Sequence, residues 1–360
     1  MNTQETGAEP GNVLEVKDLT KTFHVSAGAA GTRELRALDG INLTVRKGET
    51  LGLVGESGCG KSTLARTLMM LEQPDAGTVR FEGQDPFGLR GRELLKWRRR
   101  VQMVFQDPFA SLNARMSAGQ IISEPFATHK DLYKGAAAKA RRLNELLELV
   151  GMRSSDAAKS PQEFSGGQRQ RIGIARALAL DPDLIILDEP VSALDLSVQA
   201  QVLNLLNDLQ RELGVSYIFI SHDLSVVRHV TDRVAVMYLG RIIETGTTRD
   251  VFDHPLHPYT ASLMSASPKL DPAKRPAQRI VLQGELPSPL DPPSGCRFRT
   301  RCWKAQAICR TERPAAQTRE EAGLVSLGMP DAGPPQFPHQ TECHFPIASA
   351  AEAGLVPAGN

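Results

Sequence analysis

The chain contains, at residues 55–63, the stretch Gly55-Glu56-Ser57-Gly58-Cys59-Gly60-Lys61-Ser62-Thr63, which has the spacing G-x-x-x-x-G-K-[ST]. The short apolar run Thr50 to Val54 precedes it and predicts a buried strand. The residues that follow, Leu64 to Leu71, include neither Pro nor Gly and predict a helix. A glycine-rich loop between a strand and a helix turns backbone N–H groups and a helix dipole towards an anion. This context favours a phosphate-binding loop over the alternative, a glycine-rich turn before an ordinary helix.

A second segment supplies the acidic residues that hydrolysis of a nucleoside triphosphate needs. The apolar run Leu184 to Leu187 predicts a strand, and it ends in Asp188-Glu189. Lys61 can bridge the β- and γ-phosphates, while Ser62 and Asp188 can hold Mg²⁺. Glu189 can then orient or deprotonate the attacking water. The alternative is an acidic turn at a strand end, and the phosphate loop upstream disfavours it.

Composition narrows the function classes. The chain has 360 residues and a formal net charge of +1, which suggests a large domain with a smaller one, or two domains, and gives no electrostatic case for nucleic acid. Residues 1–11 lack a basic and then an apolar segment, so we expect no signal peptide. The longest apolar runs are too short for a bilayer crossing. We therefore expect a cytosolic or peripheral protein whose five cysteines form no disulfides.

Other segments predict the remaining architecture. Residues 35–45 predict a β-hairpin with its turn near Gly40 or, next, at Lys47-Gly48. Residues 90–100 predict a basic helix with a solvated face. Composition shifts after Thr247, where prolines become frequent and predict a separate, loop-rich extension.

A series of motifs, in order and at the expected spacing, resembles the ATP-binding subunits of ATP-binding-cassette (ABC) transporters. The motifs are Gly55–Ser62, Gln106, Phe164-Ser165-Gly166-Gly167-Gln168, Asp188-Glu189, Ser192-Ala193-Leu194-Asp195 and His222. The family usually has Leu where Phe164 stands. The resemblance covers roughly residues 13–250 and implies an α/β fold: a P-loop ATPase core with a RecA-like sheet and an antiparallel β subdomain, plus a helical subdomain. It implies a nucleotide-binding domain at 13–247, with the helical subdomain at about 108–178. Composition predicts the remaining boundaries, namely 1–12 (disordered), 248–346 (extension) and 347–360 (disordered).

The resemblance also implies a role for single residues. Glu189, His222, Lys61 and Gln106 are the expected catalytic residues. Gln106 also senses Mg²⁺ and the γ-phosphate, and is expected to ligate Mg²⁺ together with Ser62 and Asp188. The signature residues Ser165, Gly166, Gly167 and Gln168 cap the nucleotide of a partner subunit, and Asp195 lies at the dimer interface. Phe23 stacks on adenine, with a packed core phenylalanine as the alternative. For His222 the alternative is an ordinary turn residue.

A second resemblance concerns the C-terminal part. Residues 254–260 (His-Pro-Leu-His-Pro-Tyr-Thr) and 284–289 (Gly-Glu-Leu-Pro-Ser-Pro) resemble the C-terminal module of dipeptide and oligopeptide importers. This implies the second ATPase subunit of a bacterial importer at the cytoplasmic face of the inner membrane. The implied partners are a paralogous ATPase subunit, two transmembrane permease subunits and an extracytoplasmic peptide-binding protein. Nickel, glutathione or another small cargo is the alternative, and a soluble, non-transport ABC ATPase is a remote one.

Four cysteines of the extension form the pattern C-x₅-C-x₆-C-x₃₃-C, namely Cys296, Cys302, Cys309 and Cys343. Thiols this frequent in a segment rich in Pro and Gly suggest a metal site. Zinc is the generic choice for four cysteines, but the C-x₂₋₄-C pair that it favours is absent from the sequence. The importer resemblance instead implies a [4Fe–4S] cluster; zinc and free cysteines remain alternatives. Cys59, inside the phosphate loop, is interpreted as a small packing residue. For the basic run 90–100, contact with a permease or anionic lipid is the alternative to a solvated face.

Overall fold

The computed structural model of the chain describes residues 11–26, 31–107, 111–266, 280–282, 284–324, 337–349 and 352. Most of the terminal segments that are predicted to be disordered, 1–12 and 347–360, lie outside these ranges. The same holds for residues 108–110, where the predicted helical subdomain begins. None of the helices in the described ranges combines the length and the apolar character that a bilayer crossing requires.

The strands of the described residues form two sheets. In chain order they are β1 (Asn12–Ser26), β2 (Thr32–Arg46), β3 (Thr50–Val54), β4 (Ala76–Phe81), β5 (Val101–Val104), β6 (Leu184–Asp188), β7 (Ser216–Ile220), β8 (Arg233–Tyr238), β9 (Arg241–Thr247), β10 (Ala316–Thr318) and β11 (Gln340–Glu342). The larger sheet has the order β10-β11-β9-β8-β3-β7-β6-β5, and the smaller has the order β2-β1-β4. From β8 to β5 the strands are parallel, and β9, β11 and β10 extend the sheet antiparallel.

The parallel strands are buried on both faces, which explains their continuous apolar sequences. Side chains alternate across a strand, so Leu184 and Ile186 pack into one core while Ile185 and Leu187 pack into the other. The first core lies against the antiparallel sheet and the helix after the phosphate loop. The second lies against the helical region and the start of the C-terminal extension. The α/β prediction is confirmed.

The predicted hairpin at residues 35–45 is wrong. These residues belong to β2, which runs without reversal from Thr32 to Arg46 and pairs antiparallel with β1. Gly40 has φ 70° and lies where the register between the two strands shifts, so it kinks the strand rather than reversing it. The chain turns instead at Lys47-Gly48, the second predicted position, after which β3 enters the other sheet.

Helices cover the main sheet and supply the helical region. They are α1 (Lys61–Leu68), α2 (Gly91–Arg100), α3 (Ala118–Thr128), α4 (Ala136–Leu149), α5 (Gly166–Leu178), α6 (Leu196–Leu213), α7 (Leu224–Val230), α8 (Thr248–Asp253), α9 (Pro258–Ala266) and α10 (Ile308–Thr311). In α4 the neighbouring residues Leu146 and Leu147 are buried, so this helix packs through its apolar face. Helices α3, α4 and α5 pack on one another, so residues 118–178 form one helical layer beside the sheet.

The basic helix α2 is as predicted, but two of its arginines make specific ion pairs. Arg99 pairs with Asp131, which ties α2 to the segment after α3. Arg100 pairs with Glu82 and Asp183, and so links the ends of two sheets. The C-terminal end of α2 therefore helps to hold the two sheets and the helical region together.

The C-terminal extension packs directly against the edge of the main sheet. Strand β11 pairs with β9, and the buried carboxylate of Glu244 on β9 accepts hydrogen bonds from the N–H groups of Leu256 and His257, at 2.7 and 2.8 Å. Its Oε1 also lies 2.8 Å from Nε2 of His339. Near the end of the described residues, the N–H of Ile347 donates to Leu256 O at 2.8 Å. The bonds to Glu244 join the start and the end of the extension to β9, and the Ile347 bond ties these two parts of the extension to each other.

Candidate nucleotide-binding site

The phosphate loop connects β3, in the middle of the parallel strands, to α1. Gly55 and Gly60 have φ values of 154° and 112°. A Cβ at Gly55 would lie 2.2 Å from Met237 O, and one at Gly60 would lie 2.4 Å from Ala37 O. Both positions therefore require glycine, because backbone packs where a side chain would begin. Ser57, Gly58 and Ser62 are exposed, whereas the loop's two ends are tightly packed.

Lys61 is buried and bonds to the loop itself. Its Nζ donates to Gly55 O at 2.7 Å and to Glu56 O at 3.0 Å, and lies 3.7 Å from Cys59 Sγ. Burial raises the pKa of the Cys59 thiol, although Lys61 opposes the shift. Cys59 is thus a buried neutral thiol that fills space beneath the loop, in agreement with its interpretation as a packing residue. Thr63 follows in the first turn of α1 and is half-buried.

Two of the three predicted Mg²⁺ ligands, Ser62 and Asp188, lie next to each other, whereas the side chain of the third, Gln106, bonds to Glu189. Asp188 ends β6, and its carboxylate accepts a hydrogen bond from Ser62 at the start of α1. Burial raises the pKa of Asp188 and Glu189 raises it further, while Lys61, Arg66 and the Ser62 bond oppose the rise. A cation here would favour the ionised carboxylate. Among the described residues no three His, Cys, Asp or Glu side chains converge as a metal site, so Mg²⁺ would share its remaining ligands with phosphate and water.

Glu189 is held between the two other predicted catalytic side chains. Gln106 Nε2, beyond the end of β5, donates to Glu189 Oε2 at 2.7 Å. His222 Nδ1, beyond the end of β7, lies 2.9 Å from Glu189 Oε1. Glu189 has φ 47°, a conformation that non-glycine residues rarely adopt, and its N–H donates to Ile220 O at 2.9 Å. The structure therefore brings Gln106, Glu189 and His222 together at the carboxyl ends of neighbouring strands.

The signature segment is a well-defined helix start away from this group. Ser165 caps α5 by accepting the N–H of Gln168, whose side chain accepts the N–H of Ser165 in return. A Cβ at Gly166 would lie 3.1 Å from Leu194, and one at Gly167 would lie 2.3 Å from Val198. No hydrogen bond in the described part of the chain joins the signature segment to the phosphate loop.

Two predicted site residues lie apart from the group around Glu189. Asp195 caps α6: its carboxylate accepts the N–H of Val198 at 3.0 Å and the hydroxyl of Ser197 at 2.8 Å, and the backbone bond to Val198 lowers its pKa most. Phe23, on β1, is half-buried, and Lys21 Nζ lies 5.2 Å from its ring centroid. The Phe23 ring is thus outside the buried cores of the described residues.

The four cysteines of the extension line one small cavity, together with His257 and Phe298. None of them forms a disulfide. Burial raises the pKa of Cys296, that of Cys302 to about 11 and that of Cys343 to about 12. The four-thiol donor set suits iron–sulfur or zinc chemistry, but the side chains described here are not arranged as a group that holds a metal.

The structure also places two residues of the extension on the phosphate loop. Arg301 forms a double hydrogen bond with the carboxylate of Glu56, and the hydroxyl of Tyr259 accepts the N–H of Glu56. Sequence reasoning missed both, because Arg301 is 245 residues from Glu56 and no spacing rule connects such positions.

The chain matches two protein-family profiles. The profile described as ABC transporter matches residues 38–192, and the profile described as Oligopeptide/dipeptide transporter, C-terminal region, matches residues 243–309. The oligopeptide transport ATP-binding protein AppF of Bacillus subtilis (strain 168) is 52% identical over 330 residues, covering 90% of this chain and 99% of that protein. The chain belongs to the ATP-binding subunits of ABC transporters.

A further relative and a solved structure are also ATP-binding proteins of ABC transporters or part of such a transporter. The dipeptide transport ATP-binding protein DppF of Escherichia coli (strain K12) is 49% identical over 316 residues, covering 87% of this chain and 93% of that protein. The solved structure of cbiO1 from Clostridium perfringens, part of the ABC transporter complex cbiONQ, has a TM-score of 0.59 at 30% identity, covering 68% of this chain and 92% of that one. The predicted family, fold class and ATPase activity are confirmed, and this family uses ATP and Mg²⁺.

Proposed function

We propose that this ABC ATP-binding subunit hydrolyses ATP to power the import of dipeptides or oligopeptides across the bacterial inner membrane. The observation that carries the catalytic part is the position of Glu189, fixed between Gln106 and His222. The peptide cargo is supported by the match of residues 243–309 and by the printed functions of relatives such as AppF and DppF.

In this proposal each side chain of the site has one task. Lys61 leaves the carbonyl groups of Gly55 and Glu56 to bind phosphate, and the phosphate loop presents its N–H groups. Ser62, Asp188 and Gln106 would hold Mg²⁺, which would offset the charge of the phosphates. Glu189 orients and deprotonates water, with its carboxylate aimed by Gln106 and His222. The half-buried ring of Phe23 stacks on the base.

We further propose that the site is completed by a second ATPase subunit. The signature residues Ser165 to Gln168 have no bond to the phosphate loop of their own chain in the described residues, which is compatible with a role against the nucleotide of a partner. Asp195 would lie at the same interface. The partner is a paralogue rather than a copy, and the pair binds two permease subunits that receive peptides from an extracytoplasmic binding protein. This arrangement would hold the chain at the cytoplasmic face of the inner membrane.

The domain limits of this proposal are 13–247 for the nucleotide-binding domain and 248–346 for the extension.

Uptake assays test the cargo. Cells that lack the subunit, complemented with the wild-type chain or with Lys61→Ala, are given a labelled dipeptide, glutathione or nickel. We expect dipeptide uptake with the wild-type chain only. Loss of nickel or glutathione uptake with normal dipeptide uptake would instead favour the alternative cargo, and normal uptake of all three would point to a non-transport ATPase.

Mass spectrometry of the intact complex tests the partners. We expect one copy of this chain, one paralogous ATPase and two permease subunits. Two copies of this chain in one complex would contradict the heterodimer.

The cysteine cavity supports a [4Fe–4S] cluster as a further part of the proposal. Its support is the convergence of Cys296, Cys302, Cys309 and Cys343 on one cavity and the lack of the C-x₂₋₄-C pairs that zinc favours. Protein purified without oxygen should contain about four irons per chain and lose them in Cys302→Ser but not in Cys59→Ser. Stoichiometric zinc, or no metal, would contradict the cluster.

A further inference from the structure

The extension bonds to the phosphate loop at Glu56, the second residue of the loop. Arg301 Nη1 donates to Glu56 Oε2 at 2.8 Å, and Nη2 donates to Oε1 at 3.1 Å. The hydroxyl of Tyr259 accepts the N–H of Glu56 at 2.9 Å. Glu56 O accepts from Lys61 at 3.0 Å. The N–H of Cys59 donates to the same Glu56 O at 3.3 Å. Each polar group of Glu56 is therefore held, and two of its four partners, Arg301 and Tyr259, belong to the extension.

These contacts are partly shielded from solvent. The side chain of Arg301 is 10% exposed and that of Glu56 is 27% exposed, while Tyr259 is fully buried. A double hydrogen bond between a guanidinium and a carboxylate is stronger and more directional than a single surface ion pair. Such a pair fixes the position of the carboxylate as well as neutralising it.

The Tyr259 hydroxyl is fixed in its turn by aromatic packing. Its ring centroid lies 4.7 Å from that of Tyr238 and 5.5 Å from that of Phe298. Phe298 and Arg301 belong to the segment between Cys296 and Cys302, so one short piece of the extension supports both contacts to Glu56.

Glu56 needs such a partner because it carries a negative charge within the loop that binds phosphate. An unpaired carboxylate at this position would repel a triphosphate and would be free to pull the loop away from its packed shape. We propose that Arg301 is a positioning residue for ATP: by pairing with Glu56 it keeps the phosphate loop in shape and cancels the repulsion of the triphosphate by this carboxylate. The inference rests on the proposed nucleotide site and adds the extension to it.

The test measures ATP affinity and turnover separately in the assembled transporter. Because Arg301 acts through Glu56, Arg301→Met should raise the Kd of a fluorescent ATP analogue and the KM for ATP about tenfold, with kcat within about twofold of wild type. Arg301→Lys should give a smaller increase, since an ammonium group keeps the positive charge but cannot reproduce the double hydrogen bond.

A double variant separates positioning from loss of structure. In Arg301→Met with Glu56→Gln, the repelling charge is gone, so ATP affinity should return to within about threefold of wild type. Arg313→Met is the matched control, because it removes an ion pair with Glu342 elsewhere in the extension and should leave ATP affinity unchanged. If Arg301→Met does not fold, Arg301→Lys and the double variant carry the same comparison.

Two results would overturn the inference: wild-type ATP affinity in Arg301→Met, or a double variant that binds ATP no better than the single one. An equal loss in Arg313→Met would also overturn it, because a general loosening of the extension would then be the cause. Lys61→Ala separates this failure from that of the nucleotide site. Lost binding in Lys61→Ala with normal binding in Arg301→Met refutes the role of Arg301 alone, whereas normal binding in Lys61→Ala refutes both.

Discussion

The signature helix offers a quantitative test of the packing, through Gly167. A Cβ placed at Gly167 would lie 2.3 Å from Val198 Cγ1, although carbon atoms in contact normally lie about 3.5–4.0 Å apart. Val198 lies in α6 and, being β-branched, has essentially one favourable side-chain rotamer there. The clash must therefore move α5 away from α6.

The cost follows from two opposing effects. Overpacking of this kind destabilises the folded state by about 1–3 kcal/mol, while replacing glycine by alanine in a helix stabilises it by about 0.5–1 kcal/mol. Because the Cβ would lie far inside contact distance, the clash should dominate, and Gly167→Ala should lower the free energy of unfolding by up to about 2.5 kcal/mol. Gly173 is the matched control in the same helix, because a Cβ there meets no atom within 4 Å. Gly173→Ala should raise the free energy of unfolding by about 0.5–1 kcal/mol.

Urea denaturation followed by circular dichroism measures both variants. Adding Val198→Ala to Gly167→Ala removes the clashing methyl group and should recover most of the loss, since Val198 is only half-buried. Shifts of the same sign in Gly167→Ala and Gly173→Ala would refute the reasoning. So would a double variant that is less stable than Gly167→Ala alone.

Three further predictions concern other parts of the chain. Burial favours a raised pKa for Asp39, but Arg297 and Arg241 outweigh it and hold the pKa below 3.8. The stabilisation from the ionised carboxylate is therefore present above pH 3.8 and is lost as the pH falls through the folded-state pKa. Asp39→Asn should lower the free energy of unfolding at pH 7 and flatten its decline at acid pH, as measured by urea titrations. Glu244→Ala leaves three buried donors unpaired, at about 1–3 kcal/mol each, and should speed hydrogen exchange of β11; unchanged exchange would contradict its docking role. Phe23→Ala should weaken binding of a fluorescent ATP analogue about tenfold without changing the urea midpoint, and undiminished binding would exclude base stacking.

Local patterns predicted the centre of this fold well. Strands β3 and β6 are continuous apolar runs because both faces of the parallel sheet are buried, and the polar residues Asp188 and Glu189 mark where β6 ends. The family resemblance, rather than any local pattern, implied that Gln106, Glu189 and His222 act at one site. Their hydrogen bonds arise because parallel strands end at one edge of the sheet.

Predictions failed or stopped where tertiary contacts decide. A glycine such as Gly40 often marks a turn, but β2 pairs with β1 on both sides of it, so the chain is only kinked there and does not reverse. The contacts of Arg301 with Glu56 and of His339 with Glu244 join residues far apart in the chain, which no local pattern reveals. The cysteine spacing indicated convergence on one cavity but not the geometry of the thiols within it.

The central claim is that Glu189, aimed by Gln106 and His222, promotes hydrolysis of ATP bound at the phosphate loop. Phosphate release by the assembled transporter containing Glu189→Gln tests it most directly, because the amide preserves the shape of the side chain but cannot accept a proton from water. We predict ATP binding of wild-type strength and phosphate release at least about a hundredfold slower. Phosphate release at the wild-type rate would contradict the claim.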